Sequence, residues 1–315
     1  MSIISFSPRL PRPLHNKENQ NHAAAIISER RRWDGRRSPD TGKDKTINKV
    51  GWQAQEYIAA RPTYPFELFE FIASKTPSHD LAWDVGTGSG QAIPPLANIY
   101  GKVIGTDTSP TQLEFAPKLP NVDYIVTPPS MSIDDLQQKI GMSPSTSDLV
   151  TVGAALHWLD LHNFYPQVKW ALKKPNGLIA AWCYTPMPKV DEEVDAIFAP
   201  FYRSSGPYWE DCIKLVDDKY RSIEFPFGPV DGLDYTGPFE FVAQKVMKLE
   251  DYLTYIRSWS AYNTAKQKGV ELLTEDVVET FRVAWNNNGG DGDVGAKKVV
   301  KFPIYLRIGK VGGSN

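Results

Sequence analysis

The sequence predicts an α/β domain built on a doubly wound, mostly parallel sheet. Three observations predict it. Short apolar runs alternate with amphipathic stretches from about residue 62 to residue 185, the pattern of parallel strands joined by helices. The first apolar run opens into a glycine-rich turn, "WDVGTGSGQA" at 83–92. The second ends on an acid, Asp107.

Taken in order, "GWQAQEYIAA" at 51–60 predicts a helix that stops at Arg61-Pro62, because the residue before proline avoids helical backbone. "PFELFEFIASKT" predicts a second, with Phe66, Phe69 and Ile72 among its apolar positions. "LAWDVGT" is the first strand, and "QAIPPLANIY" the helix after it, with Pro94 in the first turn where proline is tolerated. "KVIGTD", "VDYIVT", "SDLVTVGAAL" and "GLIAAWCY" are the next four strands. The stretches "SPTQLEFAPKL", "SMSIDDLQQKI" and "HNFYPQVKWALKK" are the helices between them. After residue 185 the alternation breaks into an aromatic and proline-rich stretch, 186–240. "FEFVAQKVMKL" then predicts a strand, 250–287 one long helical region, and "KVVKFPIYLRIGKV" a last strand.

Composition narrows the function classes. The chain has 315 residues, a net charge of −2 and 41% hydrophobic residues, so nothing in its charge calls for nucleic acid or an acidic membrane. No apolar run reaches the roughly 18 residues of a membrane span. Two cysteines, Cys183 and Cys212, make neither a disulfide framework nor a metal site. A cytoplasmic protein with a small-molecule partner is the expectation. Residues 1–48 are polar and proline-containing, with the basic run "SERRRWDGRR" at 28–37, and read as a disordered extension ahead of one domain at 49–315.

In such a sheet, ligands sit outside the carboxyl ends of the strands. The glycine loop there is Asp84-x-Gly86-x-Gly88-x-Gly90, and its sixth position is Gln91, so the dinucleotide pattern GxGxxG fails. An acid two residues upstream repels a pyrophosphate and favours a ligand with a positive group. Asp107, at the end of the second strand, suits a pair of ribose hydroxyls. A nucleoside bearing an ammonium and a sulfonium fits both acids; a nicotinamide cofactor, the alternative reading, fits them poorly.

The motifs "QAQEYIAARPTYP", "AWDVGTGSGQA", "VIGTDTS", "HWLD" and "IRSWSAY" resemble those of class I S-adenosylmethionine-dependent methyltransferases. The likeness runs from about residue 54 to the C-terminus and is strongest to type 11 methyltransferase domains and plant proteins grouped with trans-aconitate methyltransferases. Residues upstream depart from the family pattern, beginning at Val50, where a phenylalanine is usual. The resemblance implies a Rossmann-like sheet of seven strands, the last antiparallel, and S-adenosyl-L-methionine as cofactor. It implies that Asp84 and Gly86 meet the methionine part, while Gly88 and Gly90 shape the turn. Asp107 would hold the ribose, Thr108 and Ser109 flank the adenosine, and Ser130 and Met131 contact adenine. Ala154 and Ala155 would line the sulfonium, with Tyr57 and Arg61 folding over the methionyl end. The acceptor implied is a small carboxylate.

Other residues carry two readings each. His157 and Trp158, after the fourth strand, are candidates for catalysis, His157 as a general base; the alternative is that they pack the loop. Cys183 reads as core. The aromatics Trp182, Tyr184, Phe198, Phe201, Tyr202, Tyr208 and Trp209 either fill a core or wall an acceptor site beneath a lid formed by 186–240.

Overall fold

The computed structural model describes residues 61–286 and 296–312. The helix expected over 51–60, Tyr57 and the extension 1–48 lie outside them. Among the described residues seven strands form one sheet in the order β3-β2-β1-β4-β5-β7-β6. They are β1 (Leu81–Val85), β2 (Lys102–Asp107), β3 (Val122–Val126), β4 (Leu149–Gly153), β5 (Leu178–Tyr184), β6 (Phe239–Met247) and β7 (Lys298–Lys310). The first five pair in parallel. β7 runs antiparallel to both β5 and β6, so β6 points the same way as β1–β5. The sheet class agrees with the sequence pattern, and the antiparallel last strand with what the family resemblance implies.

The central strands are buried on both faces, β5 along its whole length, which is why they read as continuous apolar runs rather than alternating ones. One face carries α1 (Phe66–Lys75), α2 (Ile93–Ile99), α6 (Glu192–Ser204), α8 (Leu249–Arg257), α9 (Ser260–Gln267) and α10 (Glu275–Asn286). The other carries α4 (Ile133–Lys139), α5 (Leu161–Ala171) and α7 (Ile213–Asp217). The short α3 (Pro110–Glu114) follows β2, its N-terminus capped by the Ser109 hydroxyl.

Two expectations change. Phe66 lies off the buried stripe of α1, which is Leu68, Phe69 and Ile72; the proline before it starts the helix there, rotating Phe66 to solvent. The long helical region is three helices, broken at Ser258–Trp259 and again beyond Lys268, where Gly269 takes a left-handed φ of 75°. The stretch 186–240 crosses between the two faces. Its first half packs Val194, Phe198 and Phe201 beside Trp259 and Phe281. Its second half packs Val216, Tyr220, Ile223, Phe225 and Phe227 on the opposite face. The crossing passes the carboxyl ends of β4 and β5, where Tyr202 donates to Asp217 at 2.8 Å and Tyr220 meets His157 at 2.7 Å.

Candidate active site

β1 delivers Asp84 to the middle of the carboxyl edge, where its side chain is 1% exposed. Strand register places Thr151 of β4 opposite it, and the Thr151 hydroxyl donates to Oδ1 at 2.6 Å. Burial pushes the Asp84 carboxyl up to about 6, although the Thr151 hydrogen bond favours the charged form. Asp107 adds a further upward push. A buried carboxylate with so little compensation attracts a cationic ligand.

The three glycines of the turn all adopt left-handed backbone, with φ of 66°, 57° and 77° at Gly86, Gly88 and Gly90, where side-chain-bearing residues are strained. Their surroundings differ. A Cβ on Gly86 would stand 2.7 Å from the Ala155 Cβ, and one on Gly90 2.9 Å from Pro117. A Cβ on Gly88 meets nothing within 4 Å. Gly86 and Gly90 therefore make room for protein, and Gly88 faces open space where a ligand can approach backbone.

The Asp107 carboxylate is pinned from two sides. Gly88 N–H donates to Oδ2 and Ser109 N–H to Oδ1, each at 2.8 Å. Each oxygen keeps a further lone pair for a hydroxyl. Thr108 is exposed beside it. Ser130 is exposed beyond β3, and the Met131 carbonyl accepts from Gln167 Nε2 at 2.6 Å. Ala154 holds a φ of 53°, an uncommon conformation for a non-glycine residue, and its N–H donates to the Trp182 carbonyl at 2.7 Å. The structure thus gathers Asp84, Gly86, Ala154 and Ala155 into one group and Gly88, Asp107 and Ser109 into another.

Arg61 joins this edge from the N-terminal side. Its Nη1 donates to the Tyr184 hydroxyl at 2.8 Å and its Nη2 to the Ser258 carbonyl at 2.9 Å. The guanidinium ties the segment before α1 to the end of β5 and to the α8–α9 junction. Tyr64, unmarked in the sequence beyond its place near Arg61, stands edge-on to Trp182 with centroids 5.2 Å apart. Burial pushes its hydroxyl well above the usual range, Tyr184 and Asp84 push it further, and Arg61 pulls it back. Tyr64 therefore stands on the same edge as Arg61, Trp182 and Tyr184.

His157 and Trp158 form a 3-10 turn after β4. Burial pulls the His157 ring down to about 4, so it is neutral at physiological pH and a weak base. Its Nδ1 is engaged by the buried Tyr220 hydroxyl. Trp158 is 51% exposed, with its ring 5.0 Å from His157. Phe198, Phe201, Tyr202 and Trp209 pack against Trp259; they hold helices together rather than wall a site. Cys183 is buried and its thiol pushed up by that burial.

A type 11 family model described as a methyltransferase domain matches residues 83–181, from β1 through most of β5. A methyltransferase of Dictyostelium discoideum is 33% identical over 279 residues, covering 87% of this chain and 98% of its own length. A methyltransferase of Aspergillus candidus is 30% identical over 304 residues, covering 80% of this chain and 92% of its own. Among solved structures, a type II methyltransferase from Anaeromyxobacter dehalogenans superposes with a TM-score of 0.67 at 27% identity, over 81% of this chain and 99% of its own. Fold and relatives define an enzyme of the S-adenosylmethionine-dependent methyltransferase class. This chain belongs to the methyltransferase family.

Proposed function

We propose that the protein methylates a carboxylate oxygen of a small organic acid, with trans-aconitate-like polycarboxylates as the first acceptors to try. The observation that carries the acceptor class is His157. A phenol or an amine must lose a proton during methylation, and a ring with a pKa near 4 removes one poorly. A carboxylate has none to lose. The Arg61 guanidinium and the Tyr64 and Tyr184 hydroxyls bring positive charge and donors to the same edge, which suits an anionic acceptor.

S-adenosylmethionine, when bound, supplies a methyl group on a sulfonium that departs as a neutral thioether. The residues present fit it. Asp84 offers a buried negative charge to its ammonium and sulfonium. Asp107 offers two pinned oxygens to the ribose hydroxyls, and Gly88 leaves backbone open to the ligand. Thr108, Ser109, Ser130 and Met131 flank the adenosine, and Ala154 and Ala155 line the methyl. Segment 186–240, passing over the carboxyl ends of β4 and β5, excludes water and aligns the acceptor; proximity supplies most of the rate.

The test is radiolabelled methyl transfer to a panel of small carboxylic acids, phenols and amines. Turnover restricted to phenols or amines would overturn the acceptor assignment. Calorimetry with S-adenosylhomocysteine and NADH checks the nucleoside site, and binding of NADH alone would sink it. Asp107→Ala is expected to weaken S-adenosylhomocysteine at least roughly 100-fold, since hydrogen bonds to a charged group contribute about 1.5–3 kcal/mol each. Thermal unfolding of that variant should still be cooperative.

A further inference from the structure

The outer strand of the sheet carries a second surface. β6 ends the strand order, and among the described residues no strand pairs with its outer side. Side chains alternate along a strand, and the even-numbered residues Glu240, Val242, Gln244 and Val246 are all exposed. Val242 and Val246 are 46% and 63% exposed. Lys248, next in the alternation, is also exposed and keeps extended backbone.

The backbone of the same residues points outward. Lys301 of β7 exchanges both its hydrogen bonds with Lys189, on the β5 side. Gln244, opposite Lys301 in the β6–β7 register, is therefore in a non-hydrogen-bonded pair with β7. Its N–H and C=O turn away from the sheet. The two-residue period extends this to Glu240, Val242 and Val246. A nine-residue edge whose outward backbone groups have no strand partner among the described residues, with two exposed valines, is a template for another strand.

We propose that β6 is a homodimerisation edge on which a second copy of this chain docks antiparallel, with Gln244 on the two-fold axis. In that register Gln244 faces its symmetry mate once, while Val242 faces Val246 and Glu240 faces Lys248 twice each. An interface about a two-fold must be self-complementary, and this one matches apolar with apolar and acid with base. Centring on Val242 instead sets Glu240 against Gln244 and drops Lys248 from the pairing. Centring on residue 243 sets Val242 against Gln244 and Val246 against Glu240. Only the Gln244-centred register satisfies both the valines and the charges. Among the described residues, Lys219 competes for Glu240 at a loose 3.8 Å.

Sedimentation velocity on the full chain at micromolar concentrations tests the proposal, with a dimer expected. Gln244→Pro removes an outward N–H that takes no part in the β6–β7 ladder, and proline is tolerated at such an edge position; it should be monomeric with unchanged circular dichroism. Glu240→Lys should weaken the dimer roughly tenfold or more, and adding Lys248→Glu should restore it. That rescue separates the intersubunit pair from the Lys219 contact and stands even if the proline variant misfolds. A monomeric wild type, a folded Gln244→Pro variant that still dimerises, or a charge swap without rescue each overturns it.

Discussion

Two buried aspartates sit at opposite ends of the same sheet and meet opposite fates. Asp148, at the amino end before β4, is 2% exposed and saturated with partners. The Asp80 and Leu81 N–H groups donate to its Oδ2 at 2.8 and 2.9 Å, Lys173 lies 2.7 Å from Oδ1, and the Ser78 hydroxyl donates as well. Burial works against its ionisation, but these partners outweigh it and hold the carboxyl below its usual value. Asp84, at the carboxyl end, is as deeply buried but pushed up to about 6. A carboxylate that serves the fold is fully compensated within the fold. One left undercompensated costs stability and, on the proposed function, is completed by a cationic ligand.

Exchanging the two charges for neutral groups should have opposite consequences. Asp148→Ala leaves the Asp80 and Leu81 N–H groups without their acceptor and Lys173 with Asp80 as its remaining carboxylate, and should destabilise the protein by about 3 kcal/mol in urea unfolding. Asp84→Asn keeps the shape and removes the poorly solvated charge. The folded pKa of Asp84 is raised, so its favourable contribution is complete below the unfolded pKa and lost as pH rises through about 6. At pH 8 the asparagine variant should therefore be more stable than wild type, by on the order of 2 kcal/mol, while cofactor affinity collapses. Equal destabilisation by both substitutions would erase the distinction.

Within the ligand edge, the glycines extend the comparison between places that serve protein and places that serve ligand. Gly86→Ala meets Ala155 at 2.7 Å in addition to its backbone strain, and should lower the midpoint of thermal unfolding. Gly88→Ala pays only the left-handed penalty, roughly 1–2 kcal/mol, but projects a methyl into open space; its loss should appear mainly in cofactor affinity. The mildest test is pH. Affinity for S-adenosylhomocysteine should fall below about pH 6, where Asp84 takes up its proton, by about tenfold per unit. The Asp84→Asn variant should show a flat profile across that range.

Much of the site was legible in sequence because its parts are local. Asp84 and the three glycines share seven residues, and Asp107 closes the next strand; a loop between a strand and a helix reads out in one line. Thr151, Tyr64, Tyr184 and Tyr220 were not legible in the same way. Thr151 meets Asp84 across 67 positions, Arg61 meets Tyr184 across 123, and His157 meets Tyr220 across 63. No short-range pattern encodes such pairs. The aromatic stretch after β5 illustrates the same limit. Its composition fits either a core or a lid, and only the packed structure shows that Phe198, Phe201, Tyr202 and Trp209 gather on Trp259.

By itself the sequence determined the alternation of strands and helices, the turn that needs left-handed backbone, and the acids that flank it. Those features follow from propensity and spacing over a few residues. Only the tertiary structure decided the strength of each charge, the neutrality of His157 and the path of 186–240 from one face of the sheet to the other. Burial and long-range pairing set these, and both exist only once distant segments have packed together.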